Sequence, residues 1–137
     1  MRTQYSIPIL FLSCLCGCSI PVSEMKLTSS ILTTGGEKTV FKRIPQTGPF
    51  KMEDTIHLLT TLRWRDVESG AGVHKVVHKW YAGEDLVSRI RFEACLYRTP
   101  YEIRSQITAS SLGVGSHKVE LYIDNILFDQ RYFEVVE

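Results

Sequence analysis

Four histidines are the side chains of this 137-residue chain best suited to proton transfer or metal ligation. His74 and His78 stand four residues apart in a run, residues 73–81, that alternates apolar and polar side chains as a strand does. A two-residue period puts both rings on one face but, at about 3.3 Å of rise per residue, about 13 Å apart. That spacing cannot close one metal shell without a bend, and His57 and His117 have no Cys, Asp or Glu at ligand spacing. The four rings therefore read as structural or solvent-facing, and no metal is expected. The carboxylates Glu53-Asp54, Glu84-Asp85 and Asp124 fall at turns, where they are ordinarily solvated, and no Asp-rich calcium loop occurs. Neither a Gly-x-Ser-x-Gly elbow nor a phosphate-binding Gly-x-x-x-x-Gly-Lys loop is present. A hydrolytic site could form only between the loops at 66–72 and 110–115, and no motif there supports it. The sequence reads as non-enzymatic, with no catalytic residue and no cofactor.

Basic and aromatic residues offer a different chemistry, that of docking. If Trp80 points inward, then Lys75, Lys79 and Tyr81 point outward from the same strand. On the strand that follows, Val87, Arg89 and Arg91 point outward, against an inward Leu86, Ile90 and Phe92. If the last hairpin joins this sheet, Lys118, Glu120 and Tyr122 extend the face, with Phe128 and Tyr132 beside them. Lys75, Lys79, Tyr81, Arg89, Arg91 and Tyr122 thus form a candidate binding face for an acidic protein, lipid head groups or an anionic glycan. The simpler account is that long basic side chains merely cover an exposed sheet. Sixteen basic side chains against fifteen acidic ones, a net charge of +1, argue against broad nucleic-acid binding, which needs a basic surface.

The elements that would hold these residues are short. From residue 38 onward, alternating runs at 39–44, 55–64, 73–81, 86–92, 101–107, 117–123 and 126–136 are separated by Gly, Pro, Asp and Asn, the texture of an all-β domain of about seven strands. The link at 82–85 makes an antiparallel hairpin, and Asp124-Asn125 makes a two-residue turn because both residue types tolerate positive φ. Seven strands in about 100 residues suggest two packed sheets. Residues 19–37, with Pro21, Thr28-Ser29-Ser30 and Gly35-Gly36, read as a polar tether.

Upstream, Arg2 is followed by an apolar stretch of about ten residues, too short to span a bilayer but suited to an export signal. It ends in Leu15-Cys16-Gly17-Cys18, which resembles the lipobox of bacterial lipoproteins. The resemblance implies cleavage after residue 17 and acyl chains on Cys18, which would anchor the chain stably in a membrane. Ser19 after that cysteine, rather than Asp, implies delivery to the outer membrane with the body facing the periplasm. Cys14 and Cys16 would leave with the signal, so that Cys95 would remain as a lone buried thiol with no intramolecular disulfide.

Residues 112–121, Leu112-Gly113-Val114-Gly115-Ser116-His117-Lys118-Val119-Glu120-Leu121, resemble the penultimate strand of immunoglobulin-like and fibronectin-type domains, with His117 where a tyrosine usually makes the corner. The resemblance implies an immunoglobulin-like antiparallel β-sandwich with Trp80 in its core; a transthyretin-like arrangement or small barrel would accommodate the same strands. The organisation expected is thus a signal peptide at 1–17, a lipidated tether at 18–37 and a sandwich at 38–137. The function expected is that of an envelope accessory or assembly module that binds a protein partner, with a module for an anionic glycan or lipid as the alternative.

Overall fold

The computed structural model describes residues 19–34, 45–65 and 70–137. The segments expected to be an export signal and a lipobox, and the strand expected at 39–44, lie outside them. The described chain is an all-β sandwich of two sheets. A three-stranded sheet has the order β1-β3-β6, made by β1 (Lys26–Thr34), β3 (Thr55–Arg63) and β6 (Tyr101–Thr108). A five-stranded sheet has the order β2-β8-β7-β4-β5, made by β2 (Phe50–Lys51), β8 (Ile126–Val136), β7 (Gly115–Ile123), β4 (Gly72–Ala82) and β5 (Asp85–Leu96). All pairings are antiparallel except β2 with β8. With β2 set aside, the strands in chain order follow the immunoglobulin pattern: the first, second and fifth share one sheet. The fourth pairs with the third at the edge of the other, as the extra strand of variable-type domains does.

Two expectations about organisation are corrected. Residues 19–34 are not a tether. Ile20 N–H bonds to the Ala71 carbonyl at 3.1 Å, a 3-10 turn follows at Val22–Glu24, and Val22 and Met25 are buried in the core before β1 begins. The Thr- and Ser-rich composition reflects an edge strand with one wet face. The loop at 110–115 in turn contains a single helical turn, α1 (Ala109–Leu112), which buries Ala109 and Leu112 and ends at Gly113 with φ of 82°.

The core explains the alternation. On β4 the even positions face inward, so Val76, His78 and Trp80 share one side, and on β3 Ile56, Leu58, Thr60 and Leu62 do the same. Apolar side chains gather in two clusters. One holds Leu62, Val76, Leu96, Ile103 and Leu121; the other holds Leu58, Trp80, Ile107, Val119 and Phe133. Each fully buried side chain of this size contributes about 1.5–3 kcal/mol. Between the clusters, along the strands, come Thr60, His78 and Ser105. Trp80 is completely buried, as expected, and its Nε1–H donates to Ser105 Oγ at 2.9 Å, which sets β6 over β4. A hydrogen bond from Ser30 to Asp129 ties β1 to β8.

Candidate functional site

The outer face of the five-stranded sheet carries all six residues of the candidate binding face. Register fixes this: Lys79 lies opposite Arg89 on one side and Glu120 on the other, Val77 opposite Arg91 and Tyr122, and Tyr81 opposite Leu86 and Lys118. Paired residues in an antiparallel ladder share a face. Lys75, Lys79, Tyr81, Arg89, Arg91 and Tyr122 are therefore neighbours, joined by Lys118, Glu120 and Tyr132. Two positions differ from expectation. Bulges at Val87 and at Phe128 shift the ladder by one residue. Phe128 consequently packs against the core instead of extending the face. Leu86, expected inside, stands exposed opposite Tyr81.

Glu120 organises one half of this face, a role that its place in an alternating run does not reveal. It is buried beneath its neighbours, accepts from the Tyr122 hydroxyl at 2.9 Å and pairs with Lys118 Nζ at 3.4 Å. Burial alone would raise its pKa, but hydrogen bonds from Tyr122 and Tyr81 and the Lys118 ammonium outweigh it and hold the carboxyl below its usual range. Tyr122 is raised in turn, chiefly by its bond to Glu120, and Tyr81 by burial and then by Glu120. Lys79 Nζ sits 4.6 Å from the Tyr122 ring centroid and Lys118 Nζ 4.6 Å from that of Tyr81. These two cations are therefore engaged within the face. Lys75, Arg89 and Arg91 are exposed and make no ion pair among the described residues.

All four histidines are buried, His74, His78 and His117 on the inner side of the five-stranded sheet and His57 on the outer side of β3. His74 Nδ1 is 2.5 Å from Asp124 Oδ2 and its Nε2 is 2.8 Å from the Ala71 carbonyl, so the ring staples the start of β4 to the β7–β8 turn. Asp124 also accepts from the Lys75 N–H at 2.9 Å. Burial pushes its carboxyl up, but the bonds from His74 and Lys75 prevail and hold it low. Asp124 and Asn125 have φ of 52° and 67°, the two-residue turn that their types predict. His117 Nε2–H donates to the Gly113 carbonyl at 2.6 Å, so the imidazole makes the back-bond to upstream main chain that a corner tyrosine makes. Among the described residues no three His, Cys, Asp or Glu side chains are grouped to hold a metal.

Cys95 requires a correction. It is disulfide-bonded and half-buried on the outer side of β5, rather than a lone buried thiol. The other cysteines, Cys14, Cys16 and Cys18, lie outside the described residues.

One further concavity is basic. Glu24, Lys26, Thr28, Arg63, Trp64 and Arg65 line a cleft of about 550 Å³ where β1 begins and β3 ends. Among the described residues no helix is long and apolar enough to cross a membrane.

No protein-family profile matches the chain, and no curated protein matches it. Solved structures share its fold. A β-glucosidase involved in saponin metabolism from intestinal bacteria has a TM-score of 0.52 at 14% identity, over 82% of this chain and 16% of that one. A β-glucosidase from Listeria innocua in complex with glucose has a TM-score of 0.50 at 10% identity, over 83% of this chain and 16% of that one. An immunoglobulin-like protein from Pseudomonas aeruginosa has a TM-score of 0.45 at 12% identity, over 82% of this chain and 97% of that one. The chain thus spans about one sixth of the length of the two glucosidases, and the likeness is one of fold.

Proposed function

We propose that this chain is a lipid-anchored, non-catalytic module of the bacterial envelope. In this reading acyl chains on Cys18 hold it in the outer membrane with its body toward the periplasm, and the outer face of the five-stranded sheet docks an acidic protein partner. The carrying observation is the division of that face. Glu120, Tyr81, Tyr122, Lys79 and Lys118 satisfy one another, which fixes a rigid aromatic platform. Lys75, Arg89 and Arg91 stand beside it with their charges free for a ligand of opposite sign. Rim cations of this kind steer and orient an acidic partner. The lipobox Leu15-Cys16-Gly17-Cys18 supports the address, and the absence of a recognised catalytic motif supports a binding role.

Crosslinking in the native envelope tests the docking. A partner captured by the wild-type chain should be lost with Lys75→Glu/Arg89→Glu, since these side chains are exposed and their reversal leaves the Glu120 network intact. Undiminished capture by that variant would reject the face. Palmitate labelling that survives Cys18→Ala would reject the anchor. A second reading, a site for an anionic glycan, is favoured by the cleft at Trp64, where Lys26, Arg63 and Arg65 converge. Binding of an acidic oligosaccharide that disappears with Arg63→Glu and persists with Lys75→Glu/Arg89→Glu would select it.

A further inference from the structure

Among the described residues β5 is the longest strand, twelve residues, and it ends its sheet with β4 as its one strand neighbour. Exposed strand edges are templates for further pairing, and chains protect them with inward-pointing charges, prolines or short length. Between Ser88 and Leu96 β5 has no proline and no inward-pointing charge; its charges, Arg89, Arg91 and Glu93, lie on the outer side, and its bulge at Val87 precedes this stretch. Its inner side presents Ser88, Ile90, Phe92, Ala94 and Leu96, in register with Trp80, His78, Val76, His74 and Gly72. Because β6 lies over β4, the smaller sheet stops short of β5. Phe92 is left 36% exposed, its ring stacked on His78 at 6.2 Å between centroids. A hollow of about 330 Å³ lined by Lys75, Arg91, Phe92 and Glu93 runs along the same edge.

We infer that this edge pairs with the same edge of a second copy, β5 against β5, antiparallel about a two-fold axis at Phe92. In that register the strand sets opposite charges together and brings no like charges face to face, which no neighbouring register does. With Phe92 opposite Phe92, Arg91 falls opposite Glu93 twice on the outer side, and Ile90 opposite Ala94 twice on the inner side. Shifting the axis to Arg91 places Arg89 opposite Glu93 twice but sets Arg91 against itself and loses the Phe92 pair, shifting it to Glu93 sets two carboxylates together, and shifting it to Ile90 opposes Arg89 with Arg91 twice. Like charges directly opposite destabilise a pair, whereas opposite charges and aromatic pairs stabilise it. An isologous contact of this type closes on itself and forms no filament. The two five-stranded sheets become one, and the docking face is doubled.

The pairing also orients the molecule. Gly72 is an inner-face position, and a Cβ there would lie 2.8 Å from the Cα of Ser19. The chain therefore approaches the five-stranded sheet from its inner side in both copies. Anchors at Cys18 would hold the merged outer face away from the bilayer. The dimer itself stands on β5 alone and is independent of the anchor and of the docking reading.

The test is sedimentation of the full chain in mild detergent across a concentration series. The wild type should approach twice the 15.6 kDa chain mass. Arg91→Glu and Glu93→Arg should each raise the dimer dissociation constant about tenfold or more. The double variant Arg91→Glu/Glu93→Arg, which restores both opposite-charge pairs with exchanged signs, should recover dimerisation. A wild type that stays monomeric throughout, a dimer indifferent to both single reversals, or a double variant no better than either single one would each overturn the inference. Loss of partner capture in Lys75→Glu/Arg89→Glu with the dimer retained would count against neither proposal.

Discussion

His78 is completely buried, and neither ring nitrogen finds a partner among the described residues. Burial lowers its pKa from 6.5 to about 4. The sign of the consequence is fixed by linkage. Between those values the unfolded chain takes up a proton that the native ring refuses, so stability falls as pH drops through the window and levels off below it. The full span corresponds to about 3 kcal/mol. Glu120 and Asp124, both held low, also lose stabilisation on acidification, but below the ordinary carboxylate pKa, a lower window. Urea unfolding at neutral pH and near pH 4.5 should therefore show most of the loss in the wild type. His78→Leu, which keeps the volume and removes the unpaired nitrogens, should remove most of it while retaining neutral stability, the remainder belonging to His57, which burial and then Arg104 also hold low. An unchanged slope in that variant would mean that another group titrates in this window.

At the scale of elements, the central strands were legible and the flanking ones were not. β3 and β4 are covered on their inner side by the facing sheet, so their alternation is strong and Trp80 could be placed in the core from its spacing. β1 carries Thr and Ser on a wet edge and only Leu32 and Thr33 buried, a pattern that resembles a tether although Thr favours strands. β2 has two residues, too few for any period. The same limit applies to side-chain partners. His74 meets Asp124 fifty residues away, and that meeting depends on the register of three strands. Bulges at Val87 and Phe128, which invert the predicted sides of Leu86 and Phe128, leave no mark in composition. The N-terminal segment depends on one glycine. Gly72 has φ of 90°, and a Cβ would press into Ser19 backbone at 2.8 Å. Gly72→Ala should cost more than about 1 kcal/mol in unfolding free energy. It should also speed hydrogen exchange of the Ile20 amide, which bonds to Ala71, more than that of amides in β7. Uniform acceleration would show a global loss instead.

For the whole molecule the decisive arithmetic concerns sulfur. A chain cleaved before Cys18 lacks Cys14 and Cys16, and an acylated Cys18 has no thiol to share. In such a chain Cys95 has no cysteine left with which to form an intramolecular disulfide. The disulfide at Cys95 therefore belongs to a chain that keeps its leader or leaves Cys18 without lipid. The proposed acylation and the crosslink therefore exclude each other within one chain, and each predicts a different state of Cys95. Chain extracted from the envelope should carry the acyl mass on Cys18 and take up a thiol-alkylating reagent at Cys95 without prior reduction. Cys95 lies half-buried on the outer side of β5, so its uptake should be slower than that of a free thiol but complete on unfolding. If extracted chain instead resists alkylation until it is reduced, and lacks the acyl mass, Cys95 is crosslinked in the cell, the leader cysteines serve the fold, and the lipid anchor is withdrawn.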